Sequence, residues 1–225
     1  MARTKLADRL LPDYTKGEEI FNMVTHIVGG SLGIVALVLC TVFASVHNNG
    51  YGIISGIIFG TTMILLYTMS SIYHGLNPKY VTAKKVFQIL DHCSIFLLIA
   101  GTYTPFTLCG IRTVDPGAAW WIFSIIWGVT ILGIILNSID LKMFKKFSMI
   151  CYLAMGWCII IKADILPKFL NSTGLTLLIA GGLAYTIGSI FYIFDKKKRY
   201  MHSVFHLFIL LGSILHFFCI LLYTM

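Results

Sequence analysis

The chain has 225 residues, of which 58% are hydrophobic and only 12% are charged, and its mean hydropathy is +0.87. A soluble domain carries about 25% charged residues, so this chain has too few charges to cover a surface exposed to water. Intrinsically disordered chains are poor in apolar residues, which excludes that class as well. The composition therefore predicts a polytopic integral membrane protein with lipids as its surroundings.

The net charge of +8 does not indicate binding to nucleic acid. There is no zinc-finger spacing and no separate basic domain, and both are typical of proteins that bind DNA or RNA. The six cysteines include no CxxC pair and lie within or beside apolar runs. Buried free thiols explain them better than a disulfide framework, which is typical of small secreted domains.

Seven runs of the sequence are long and apolar enough to form membrane-spanning helices. Such a helix needs about 20 mostly apolar residues, and a β-barrel would need alternating segments that these runs lack. In chain order the runs are residues 21–46, 52–76, 90–111, 118–137, 147–161, 173–194 and 203–223. The sequence thus predicts an all-α bundle of seven transmembrane helices at 21–225, after a tail at 1–20.

The basic residues predict how this bundle is oriented. Fourteen of the 17 lie in the tail and in the second, fourth and sixth loops, which share one side of a seven-span bundle. The sixth loop alone contributes Lys196, Lys197, Lys198 and Arg199. Because short cytoplasmic loops are enriched in Lys and Arg, we expect the N-terminus in the cytoplasm and the C-terminus outside.

Polar side chains within the spans predict a site, because such groups are costly in lipid and are usually functional. His202 and His206 share one face of the seventh span, and two imidazoles at this spacing can bind a zinc ion. A pair of interfacial histidines is the alternative. Ser70 and His74 have the same spacing at the end of the second span, where a capping or interfacial histidine is the alternative.

Two further spans carry polar groups near the same end. Asp91 begins the third span, where a carboxylate needs a partner or water, although a helix-start aspartate stabilised by the helix dipole is the alternative. Glu19, Asn22 and His26 form one stripe of the first span. A packing face with polar contacts between helices would also explain this stripe.

The predicted topology brings these motifs to one depth, one or two turns inside the cytoplasmic face. The residues at this depth are His26, His74, Asp91, His202 and His206. Three histidines plus water form the open coordination of a catalytic zinc site. Asp91 would orient the water or take its proton, and Ser70 would donate a hydrogen bond to the water or to an oxyanion.

The remaining histidines are interpreted as structural. His216 lies ten residues beyond His206, about 15 Å along the helix, and is expected to be a packing or pocket histidine. His47 falls in an external turn, and His92, beside Asp91, is interpreted as interfacial.

Four motifs carry a family resemblance that covers nearly the whole chain. They are Glu19-Ile-Phe-Asn22-Met-Val-Thr25-His26, Ser70-x3-His74, Asp91-His92 followed by Ile99-Ala-Gly-Thr-Tyr-Thr-Pro105-Phe, and His202-x3-His206. In this order they resemble the haemolysin III family, the bacterial branch of the progestin and adipoQ receptor family. The resemblance implies a seven-helix bundle in the bacterial plasma membrane and a zinc ion held by His74, His202 and His206.

The resemblance also implies a function, because the wider superfamily includes alkaline ceramidases, which hydrolyse lipid amides. A zinc-dependent hydrolase of a lipid amide or ester, affecting membrane lipid homeostasis, is the leading expectation. A non-enzymatic lipid sensor or receptor with structural zinc would use the same residues. A pore-forming cytolysin is disfavoured because the chain lacks the polar exterior of a secreted toxin. A channel or transporter is disfavoured because inverted repeats and a charged file across the membrane are missing.

Overall fold

The computed structural model describes residues 3–195 and 198–225, and its regular structure within them is entirely helical. Six helices in these two ranges are long and apolar enough to cross a membrane. They are α1 (Lys16–Val46), α2 (Gly50–Gly75), α3 (Val81–Pro105), α4 (Pro116–Trp157), α5 (Ser172–Ile193) and α6 (Met201–Tyr223). Large apolar side chains dominate their exposed faces, which suits a surface surrounded by lipid. The protein is a polytopic all-α membrane protein.

Polar caps determine where several of these helices begin. Asn49, Asp115 and Asn171 each accept a hydrogen bond from a backbone N–H in the first turn of α2, α4 and α5. Thr15 and Glu18 form a capping box at the start of α1, in which each side chain accepts from the other's backbone N–H. The box starts α1 five residues before the predicted span, because the polar first turn lies outside the apolar run.

Helix α3 is the most buried of the six and runs through the core of the bundle. After Pro105 the helix continues as a π-helical segment, Phe106–Ile111, and a final turn, Arg112–Val114. Proline lacks the N–H that a regular helix needs and crowds the preceding turn, so Pro105 weakens the helix next to the π-helical segment.

Helix α4 is interrupted at Asp140, whose φ of −158° and ψ of 97° are not helical. A straight helix of its 42 residues would be about 63 Å long, twice the roughly 30 Å hydrocarbon core. Instead the halves fold back on each other. Ser148 donates to Asn137 Oδ1 at 2.6 Å, and Lys162 Nζ lies 3.2 Å from Asp115 Oδ2 at the opposite end.

The interruption explains a difference between the predicted and observed helix counts. The sequence predicted seven spans, and the described residues form six span-length helices, because predicted span 118–137 and most of predicted span 147–161 lie in α4. The carboxylate of Asp140 accepts from the backbone N–H groups of Lys142 and Met143, as a helix N-cap does. The connection between the halves is thus a single capping residue.

One end of the bundle brings together the starts of α1, α3 and α6, the end of α2 and the break in α4. We call it the N-terminal end, because Arg3 Nε donates to Ile139 O there at 3.0 Å. The predicted basic sixth loop also lies at this end. Its Lys198 and Arg199 are exposed, whereas Lys196 and Lys197 are outside the described residues.

Candidate metal centre

Three histidines meet at the N-terminal end of the bundle. His74 is in the last turn of α2, and His202 and His206 are in the first two turns of α6. All three are buried, and one ring nitrogen from each lies within 4.8 Å of the other two. The sequence predicted that these residues share a depth, and the packing of both α2 and α6 against α1 brings their rings together.

The ring nitrogens of this group are available as metal ligands. His74 Nδ1 lies 2.6 Å from Glu19 Oε2 and must donate to it, so the lone pair of His74 is on Nε2. That Nε2 atom is buried without a hydrogen-bond partner among the described residues. His202 Nε2 and His206 Nε2 are 3.1 Å apart.

This spacing suits a shared cation. Two imidazole nitrogens bound at about 2.0–2.1 Å to one tetrahedral ion are about 3.3 Å apart. Three neutral imidazoles without a fourth protein ligand are also the donor set of an open metal site. The group can therefore hold a metal ion.

Carboxylates lie behind two of these rings. Glu19 binds His74 through Oε2 and accepts from Lys84 Nζ at 2.6 Å through Oε1. Asp195 Oδ2 lies 3.8 Å from His202 Nδ1. A hydrogen-bonded carboxylate fixes the tautomer and orientation of a metal-binding imidazole, as Glu19 does for His74, whereas Asp195 contributes only its charge beside His202. The sequence predicted Glu19 only as part of a polar pocket, since spacing along α1 does not reveal its partner on α2.

Asn22 and His26, the other members of the predicted polar stripe, also face the site. Asn22 Oδ1 accepts from Ser203 Oγ at 2.7 Å, which ties α1 to α6 next to His202. The ring of His26 stacks on that of His206 with centroids 3.7 Å apart. Both ring nitrogens of His26 are buried and have no hydrogen-bond partner within the described part of the chain.

Asp91 and Ser70 line the same cavity as His202 and His206. Ser70 Oγ is buried, and among the described residues nothing forms a hydrogen bond with it, so it is available to a ligand. Asp91 does not belong to the group of three potential metal ligands. His92 also lines the cavity, although it was interpreted as interfacial, and both its ring nitrogens are engaged, by Gln88 O and by the Tyr192 hydroxyl.

The segment before α1 covers this end of the site. The Tyr14 ring stacks on the His202 ring with centroids 4.9 Å apart and an angle of 25°. Arg9 Nη2 donates to Gln88 Oε1 at 2.7 Å, and Lys85 Nζ donates to Ala7 O at 2.6 Å. The sequence predicted a tail here but not these contacts, because an irregular segment has no periodicity to interpret.

A cavity extends from the histidines into the apolar interior between α3, α5, α6 and the second half of α4. It reaches His216, ten residues beyond His206, and so follows α6 for about 15 Å, or half the hydrocarbon core. Leu153, Tyr185 and Ser189 line it and are partly exposed. The cavity therefore opens sideways between α4 and α5, towards the lipid-facing surface.

Residues 14–217 match the family model described as "Haemolysin-III related". The chain belongs to the haemolysin III family. The match includes all four motifs, so the resemblance predicted from them is confirmed. Two relatives from this family align over nearly their full length.

One of these relatives is Hemolysin-3 of Bacillus cereus, which is 41% identical over 208 residues, 92% of each chain. The other is Hemolysin-3 homolog of Bacillus subtilis (strain 168), 39% identical over 210 residues, or 93% of this chain and 96% of the relative. A more distant similarity links this haemolysin III family member to human Monocyte to macrophage differentiation factor. The two are 27% identical over 169 residues, 72% of this chain and 67% of the human protein.

Proposed function

We propose that this haemolysin III family member is a zinc-dependent hydrolase of the cell membrane that cleaves a lipid amide or ester and so affects membrane lipid composition. One observation carries the proposal. A buried group of three histidines lies at the end of an apolar cavity that opens towards lipid and is also lined by Asp91 and Ser70. Metal ligands, a carboxylate and a hydroxyl beside an apolar cavity are the components of a hydrolytic site for acyl lipids.

His74, His202 and His206 would hold the zinc ion, because three neutral imidazoles are a preferred donor set for this metal. When bound, zinc supplies a Lewis acid that polarises a carbonyl group and lowers the pKa of water. Glu19 keeps His74 in the tautomer whose Nε2 faces the site. Lys84 holds the Glu19 carboxylate in place by its own ion pair.

Asp91 and Ser70 would perform the remaining steps. Asp91 takes a proton from the attacking water and returns it to the leaving amine or alcohol, as a general base and then a general acid. Ser70 donates its hydroxyl hydrogen to the oxyanion that develops on the carbonyl oxygen. The acyl chain lies in the apolar cavity, which places the carbonyl at the histidine end.

We further propose seven membrane crossings, with the N-terminus in the cytoplasm and the C-terminus outside. The break at Asp140 and the antiparallel halves of α4 support two crossings within that element. The concentration of Lys and Arg at the N-terminal end supports the orientation. Alkaline phosphatase fused after residue 225 should be active outside the cell, whereas a cytoplasmic signal there would contradict this topology.

A lipid sensor or receptor with structural zinc is the second candidate. The segment with Tyr14 and Arg9 covers the histidine end, and this cover favours a sensor because hydrolysis requires water at the ion. A pore-forming cytolysin, suggested by the names of the relatives, is not favoured by a surface that is apolar over most of its helices.

Hydrolysis by the purified protein tests the leading proposal. Detergent-purified protein should release fatty acid from a fluorescent ceramide or a fluorescent acyl ester. Asp91→Asn should lower the rate at least about 100-fold with zinc content unchanged, because general acid–base catalysis contributes that much or more. Asp164→Asn, an exposed loop residue, is the matched control. Zinc binding without turnover of either probe would favour the sensor.

A further inference from the structure

A second polar cluster lies beside the cavity, further along α6 than the histidine centre, and two of its members, Tyr185 and His216, line the cavity. The Ser213 hydroxyl is 2.7 Å from the Tyr67 hydroxyl and 2.8 Å from the Tyr185 hydroxyl. His216 is one turn further along α6, and its ring centroid is 5.4 Å from that of Tyr185. Counted from His206, Ser213 is about 10 Å and His216 about 15 Å along the helix. We call these four residues the distal cluster.

The protonation of the His216 ring follows from its neighbours. Its Nε2 atom lies 3.1 Å from Leu178 O. A carbonyl oxygen only accepts, so Nε2 carries the hydrogen and Nδ1 keeps a lone pair. Nδ1 is buried and has no hydrogen-bond partner among the described residues.

The orientation of the ring directs this lone pair away from α5. The Cδ2–Nε2 edge of His216 packs directly against Gly181, where a Cβ atom would collide with it. In an imidazole ring Nδ1 is opposite that edge, and His216 lines the cavity. The unpaired acceptor Nδ1 of His216 therefore faces the cavity.

Tyr185 supplies a donor beside this acceptor. Tyr67 donates to Ser213, and the Ser213 hydroxyl can in turn donate to Tyr185. The Tyr185 hydroxyl hydrogen is then available to the cavity that this residue lines. An acceptor and a donor next to each other in an apolar cavity match a hydroxyl group, which both donates and accepts.

We propose that the distal cluster binds a hydroxyl group on the acyl chain of the lipid, about 15 Å from the histidine centre. The proposal rests on the proposed function, because the histidine centre sets which end of the lipid lies nearby. The hydroxyl donates to His216 Nδ1 and accepts from Tyr185. An unsubstituted chain would leave buried polar groups unpaired, and sites of this kind discriminate strongly against ligands that lack the hydroxyl.

Binding of three fatty acids to detergent-purified, zinc-loaded protein tests the proposal. The probes are 12-hydroxystearate, stearate and 2-hydroxystearate, whose hydroxyl is next to the carboxylate. Each competes with a fluorescent fatty acid. Wild-type protein should bind 12-hydroxystearate about tenfold more tightly than the other two, the difference expected when a buried hydrogen-bonding site is satisfied.

Two variants separate the subsite from general damage to the cavity. His216→Phe keeps a ring of similar size and should abolish the preference for 12-hydroxystearate. Tyr185→Phe keeps His216 and should reduce the preference to about threefold, since only the donor is lost. Zinc content unchanged from wild type reports that each variant is folded.

The outcomes distinguish this inference from the proposed hydrolase. Equal affinities for 12-hydroxystearate and stearate, or binding of neither, would overturn the subsite and leave a buried water as the partner of Nδ1. A preference that persists in both variants would overturn it as well. A preference lost in the variants supports the subsite even where no probe is hydrolysed, a result that would count against the hydrolase alone.

Discussion

The two ends of the cavity differ in the kind of polar group that they contain. At the histidine end, charged residues are paired, as in the contacts of Glu19 with Lys84 and His74. At the distal end the polar groups of the distal cluster are uncharged side chains, namely the hydroxyls of Tyr67, Tyr185 and Ser213 and the imidazole of His216. Charges are far more costly deep in a membrane than near its surface, which explains their confinement to one end.

Metal-dependent chemistry is expected at the histidine end of the cavity, and recognition of the lipid chain is expected at the distal end. Metal-binding imidazoles are commonly oriented by carboxylates, and among the described residues the histidine end supplies this combination. Neutral hydroxyls and an imidazole acceptor can select a ligand without adding charge to the bilayer interior. Substitutions at the two ends should therefore have separate effects, on metal affinity at one and on lipid selection at the other.

The largest difference in zinc affinity between variants at the two ends is expected for Glu19, whose carboxylate is hydrogen-bonded to His74. Glu19→Gln keeps the size of the side chain but loses the charge that fixes the His74 tautomer. Zinc affinity should fall about 10–100-fold, the usual cost of losing such a partner. Titration against a chromogenic chelator measures it, and His216→Phe should match wild type. Equal affinity in Glu19→Gln would contradict the role given to Glu19.

A smaller effect is expected at the cover of the histidine end. Tyr14→Ala removes the ring stacked on His202 and opens a path for solvent. Zinc removal by excess EDTA should become several-fold faster, while equilibrium affinity changes little. Tyr80→Ala, at an exposed position, is the matched control. The cover would have no role in access if both variants lost zinc at the wild-type rate.

The smallest effect is expected for two serines on α6. Ser203→Ala removes the hydrogen bond to Asn22 and leaves a buried amide oxygen unpaired, which costs about 1–3 kcal/mol. Zinc affinity should fall about threefold, because His202 is the adjacent residue. Ser213→Ala should lower thermal stability similarly and leave zinc affinity unchanged. A reversed pattern, with zinc affinity sensitive to Ser213 alone, would contradict the separation of the ends.

Much of the histidine end could be predicted from the sequence. The polar residues of four spans could be assigned to one depth because loop charges set the direction of each span. His202 and His206 could be paired because four residues make about one helical turn. The partner of Glu19 on α2 could not be predicted, since a periodic pattern shows which face of a helix is polar but not which helix it meets.

Contacts made by irregular segments could not be predicted from the sequence either. The contacts of Arg9 and Tyr14 depend on a segment without periodicity, and the fold-back within α4 depends on one non-helical residue, Asp140. The sequence predicted His216 as a packing or pocket histidine, and the structure places it in the lining of the cavity. Its free acceptor could not be predicted, because the hydrogen bond that reveals it runs to the backbone of α5.

The zinc content of detergent-purified protein tests the central claim most directly. Elemental analysis should find about one zinc ion per chain in wild type and in His47→Ala, which changes an exposed histidine. His74→Ala, His202→Ala and His206→Ala should each lose most of the metal, because each removes one of three ligands. Equal zinc in all five proteins, or none in wild type grown with zinc, would contradict a metal centre built from these histidines.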